Sequence, residues 1–202
     1  VQPIADFSAG LRHLKDAEKR GHRVVLEADT ETAEVVRLFL QIAQDGDLPQ
    51  KIDTDVVSRL AEVVDLTHHW DSPGVRNTLW AVLHRRVCDR QCEGAFARIF
   101  NFAACNQQGA LCTSVLRCHP KNYWIPPTET QWTGQAVGGA SCWDVGRTSL
   151  ALLRGMPQQY IWALARAYDE AGKMEGGLEK HLANSFDRYL AVAMGPTWDM
   201  KW

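Results

Sequence analysis

No apolar run in these 202 residues approaches the length needed to cross a membrane, and no charged-then-apolar leader stands at the start. A helical membrane span is therefore not expected. A surplus of charge is lacking as well: 22 Lys and Arg face 24 Asp and Glu, a formal net charge of −2. That balance leaves no electrostatic footprint for direct nucleic-acid binding, and the pairs Lys19-Arg20 and Arg85-Arg86 are too short to supply one. The chain has no internal repeat, no low-complexity tract and no Asn-x-Ser/Thr acceptor that would argue for secretion. It opens with Val1 rather than Met, so an upstream segment is expected to have been removed or left out.

What is present is ordinary soluble composition, 46% hydrophobic and 23% charged, in a chain long enough to bury a sizeable core without staples. The six cysteines (Cys88, Cys92, Cys105, Cys112, Cys118, Cys142) are accordingly expected to be mainly reduced thiols in an intracellular, cytoplasmic or nuclear protein. Their even number keeps disulfides open.

Periodicity predicts mostly helix. Phe7, Leu11 and Leu14 mark a short amphipathic helix, and Val24, Val25 and Leu26 read as a brief strand. Asp29 or Thr30 can cap the next helix, whose face carries Val35, Val36, Phe39, Leu40 and Ala43. After Gly46 and Pro49, a stripe of Val56, Val57, Leu60, Val63 and Val64 predicts another. Ser72 as cap and Pro73 at the first helical position open one with Val75, Leu79, Val82 and Leu83 inward. Further helices are expected over 92–107, beyond a break at Gly109, over 143–153, from Pro157 to Tyr168, and over 177–194. Residues 119–142, rich in Pro, Gly and Trp, form a long irregular segment.

The most chemical stretch is HHWDSPGVRNTLW, residues 68–80, with His68, His69, Asp71 and Ser72 close together. Adjacent histidines on a helix point about 100° apart and do not converge on a metal. A helix terminus fits better, with His at the negative end of the dipole and Asp71 or Ser72 capping the helix that follows. His84, Cys88 and Cys92, spaced by four, could line one helical face as three metal ligands, although a fourth ligand and a Cys-x-x-Cys pair are lacking. Cys112, Cys118 or Cys142 stand in no recognisable nucleophile motif, and AVGGASCW lacks the lysine of a phosphate-binding loop. No cofactor is expected. Trp80 and Trp162 are expected to pack, whereas Trp124, Trp132, Trp198 and Trp202, in the irregular segment and the tail, are candidate partner anchors.

The segments VVLEADTETAEVVRLFLQ and VVDLTHHWDSPGVRNTLWAVL resemble the second half of a BTB/POZ domain, in particular the group of fungal, mostly mushroom-type, BTB proteins. LLRGMPQQYIWALARAYDE resembles that group's distal block, so the likeness runs over about residues 5–170. The resemblance implies that His69-Trp70-Asp71-Ser72-Pro73 is a packing and capping corner, with Trp70 as its aromatic ring. It also implies a non-catalytic protein–protein interaction module whose partner is a second copy, a cullin-type ubiquitin-ligase scaffold or a transcriptional regulator, with neither nucleic acid nor membrane bound directly. The family's opening strand hairpin has no counterpart before Val1, which leaves open a fragment or a reduced fold.

The expected fold is therefore mainly α (α+β): a partial BTB/POZ-like core with a small sheet remnant over 1–90, then a helical extension over 91–202. The alternatives are a small metal- or thiol-dependent enzyme using His84, Cys88 and Cys92, and a small-molecule-binding helical domain.

Overall fold

Thr32 starts the first described helix: its Oγ1 accepts the Val35 N–H, 3.4 Å. In the computed structural model the described residues are 32–92, 94–119, 141–148 and 150–195, excepting the side chains of 151 and 152. They are mainly α-helical and include no strand. The expected sheet remnant at 24–26 and the helix over 5–19 lie outside them. The chain divides into two compact units, Val1–Glu93 and Gly94–Trp202.

In the first unit, α1 (Ala33–Asp45), α2 (Thr54–His69) and α3 (Pro73–Cys88) pack on one another. α1 ends because Gly46 adopts a left-handed φ of 64° and its N–H returns to the Ile42 carbonyl, 3.1 Å. Asp53 caps α2 by accepting the N–H groups of Asp55 and Val56 at 3.1 and 3.0 Å. The predicted stripes form the core: Val35, Leu38, Phe39 and Ile42 from α1, Val57, Leu60, Val63 and Val64 from α2, Leu79, Val82, Leu83 and Val87 from α3. Val36, Val56 and Val75, expected inward, sit at the half-buried margin.

The second unit contains α4 (Phe96–Cys105), α5 (Gly109–Cys118), α6 (Leu150–Leu153), α7 (Gln158–Lys173) and α8 (Gly177–Ala193). Residues 111–116 of α5 are all buried, as befits a helix covered on every side, and α5 packs against α4 and α8. α7 and α8 form a tight antiparallel hairpin whose turn places Gly176 at φ 89° and Gly177 at φ 58°. Phe100 and Phe186 meet at 5.4 Å in the centre, with Trp143 against Phe100 at 5.3 Å and Tyr160 against Phe186 at 6.3 Å.

Three successive helices end by one device. After α2, α3 and α4 the chain turns through a non-glycine left-handed residue: Asp71 (φ 43°), Arg90 (φ 57°) and Gln107 (φ 58°). In each case the residue two past the cap donates to the carbonyl five residues back (Ser72 to Thr67, 2.8 Å; Gln91 to Arg86, 2.9 Å; Gln108 to Ala103, 2.8 Å). The left-handed residue itself donates three back, to His68, Val87 and Ala104. These are Schellman turns, which satisfy carbonyls that a helix end otherwise leaves bare.

Two expectations change accordingly. The break between α4 and α5 comes from Gln107, and Gly109 is the first residue of α5 rather than a separator. The helix expected over 143–153 shortens to Leu150–Leu153, because Asp144 turns back on itself, accepting the Gly146 N–H with its carboxylate at 3.0 Å and the Arg147 N–H with its carbonyl at 3.0 Å.

Gly109 sits where a methyl would meet Leu190 Cδ2 at 2.9 Å, whereas nothing lies within 4 Å of the corresponding position at Gly172 in α7. Gly109→Ala is therefore expected to lower stability by about 1–3 kcal/mol despite alanine's better helix propensity. Gly172→Ala is expected to raise it by roughly 0.5–1 kcal/mol, both read from denaturant midpoints.

Candidate functional site

The stretch 68–80 is a helix–turn–helix corner in which each reactive-looking side chain has a structural setting. His68 and His69 occupy the last turn of α2. Arg76, from α3, donates to His68 Nδ1 at 2.9 Å, so the facing ring nitrogen accepts. Asp71 supplies the left-handed turn residue. Trp70 stands edge-on to the fully buried Phe39 of α1, with ring centroids 5.0 Å apart and planes at 79°.

Side-chain capping by Asp71 or Ser72 is not found. Ser72 is the residue before α3, with Pro73 at the first position as expected, but its Oγ donates to the Trp70 carbonyl at 3.1 Å. The physical reason is the turn itself: the Ser72 backbone is already committed to Thr67 through its N–H, with φ −118° and ψ 64°, outside the extended range of a capping residue. The corner finishes α2 rather than capping α3.

The metal candidates separate. α3 ends at Cys88 and the chain turns at Arg90, so His84, Cys88 and Cys92 do not share one helical face as their spacing suggested. His84 is half-buried, Cys88 exposed and Cys92 buried. Among the described residues no group of three or more His, Cys, Asp or Glu side chains is placed to hold a metal ion. Burial pushes the Cys92 thiol up to about 11 and the Cys112 thiol higher still, conditions that suppress the nucleophilic thiolate. Cys112 donates to the Phe100 carbonyl and Cys105 to the Gly155 carbonyl at 3.2 Å, while Cys118 ends α5 and Cys142 is buried next to Trp143.

A polar cluster that spacing did not reveal joins the end of α3 to the α1–α2 connection. Asp47 accepts from its neighbour's Leu48 N–H at 2.8 Å and from both Arg85 and Arg86 at 3.1 Å. Arg86, only 13% exposed, also donates to the Leu48 carbonyl at 3.2 Å and to Gln91 Oε1 at 2.7 Å. The Leu48 N–H, followed by the guanidinium charges, holds the Asp47 carboxyl below its usual range. This basic pair is a clasp between segments nearly forty residues apart.

Trp124, Trp132, Trp198 and Trp202, the sequence's partner-anchor candidates, lie outside the described residues. Trp80 is half-buried on α3. Trp143 is buried instead as an anchor of the second unit, donating through Nε1 to the His119 carbonyl at 2.8 Å. Nothing in the sequence around it distinguished it from the exposed-looking tryptophans nearby.

Two surface features remain, both in the second unit. An open groove of about 530 Å³ is lined by Asp144, Gly146, Tyr168, Asp169 and Lys173. Its acids are satisfied internally, Asp144 by the Gly146 N–H and Arg147, Asp169 by Lys173 at 2.7 Å. Also on α7, Trp162 is half-buried, like Trp80, with Tyr189 of α8 edge-on at 5.5 Å and 89°. Arg166 lies over the Trp162 ring at 5.8 Å and Arg188 over Tyr189 at 5.0 Å. Glu170 accepts a hydrogen bond from Arg188, which above all lowers its carboxyl's pKa. Val192, one turn beyond Tyr189, is 61% exposed. Trp, Tyr and Arg held in one fixed arrangement are the residue types that dominate protein interfaces.

Removing Arg86 (Arg86→Ala) is expected to destabilise by about 1–2 kcal/mol, because the part-buried Leu48 carbonyl and Asp47 carboxylate lose a charged donor, while exposed Arg85→Ala costs about 0.5 kcal/mol or less. Asp47→Asn should cost about 0.5–1 kcal/mol at neutral pH, discounted for the partial exposure of the carboxylate. A depressed carboxyl pKa stabilises above the ordinary value of about 3.9 and stops doing so as pH falls through the folded value. The wild-type advantage over Asp47→Asn in urea titrations should thus be full at neutral pH and shrink below about pH 4.

Compared with known proteins, the chain matches no family model, no curated protein and no solved structure, so the roles of these faces are carried by their geometry.

Proposed function

We propose that this protein is a non-catalytic protein–protein interaction module, of the BTB/POZ kind that the resemblance implies, acting in self-association or in binding an adaptor or scaffold. The observation that carries the reading is the outer face of the α7–α8 hairpin. There a half-buried Trp–Tyr pair meets edge to face and is flanked by two arginines and by exposed Val192. A rigid aromatic platform loses little conformational entropy on binding, which is the economy a contact surface needs. The setting of the 68–72 cluster supports the same reading, since those side chains and their backbone serve a helix end.

The scaffold and self-association options separate by the solution mass of the reduced chain, measured by light scattering over a range of concentrations. A mass of twice the 22.7 kDa chain that returns to the single-chain value in Trp162→Ala is the outcome expected for self-association through this face. A strictly monomeric mass assigns the module to a different partner. A dimer unaffected by Trp162→Ala removes the α7–α8 face from the account.

A further inference from the structure

We draw no further inference here: the strongest candidate, the open groove between the turn at 144–146 and the 165–173 side of α7, holds carboxylates already answered by the Gly146 N–H, Arg147 and Lys173, and nothing in the structure shows what covers it.

Discussion

The left-handed turn residue is the constraint on which much of this structure depends. A helix in a small unit must stop with its last carbonyls satisfied and its chain pointing back at the core. α2, α3 and α4 meet both requirements by rotating one residue to positive φ, at Asp71, Arg90 and Gln107. Such a residue costs about 1 kcal/mol without glycine. Each turn offsets that with two backbone hydrogen bonds. Move the turn at Asp71 or Gln107 by one residue and the apolar face of the next helix of the same unit rotates by about 100°, away from its partners.

The apolar stripes made the helices legible. Val57, Leu60, Val63 and Val64 announce α2 and point to the core, as do Leu79, Val82 and Leu83 for α3. Helix ends were less legible, because the expectation leaned on Gly and on side-chain caps. Gly46 obeyed that rule, and Asp71, Arg90 and Gln107 did not, their conformation being set by where the chain has to go next. Spacing also misled at His84, Cys88 and Cys92, since a four-residue repeat means one face only while the helix continues. The Asp47–Arg86 clasp is non-local and left no periodic trace. Trp80 and Trp162 sit at helical spacing within amphipathic segments and so read as packed; both are half-buried.

Reactive residue types thus divide by setting. In the first unit His68, Asp71 and Ser72 finish a helix, and Arg86 holds a connection to a helix end. In the second unit the thiols of Cys105 and Cys112 point to backbone carbonyls, and burial keeps that of Cys112 from ionising readily. Trp162 and Tyr189, half-buried on two helices that brace one another, carry arginines over their rings. Rigid secondary structure carrying a Trp–Tyr–Arg surface is chemistry suited to holding a partner.

The central claim is that the 68–72 cluster is a structural turn, and Asp71→Gly tests it most directly. Glycine removes the carboxylate altogether yet adopts φ 43° more easily than aspartate. The melting temperature should therefore hold or rise by a few degrees, with the Ser72 amide still protected from hydrogen exchange by the Thr67 carbonyl. A marked fall in melting temperature with loss of that protection would show that the Asp71 carboxylate, and not the backbone turn, organises the corner, and would contradict the account.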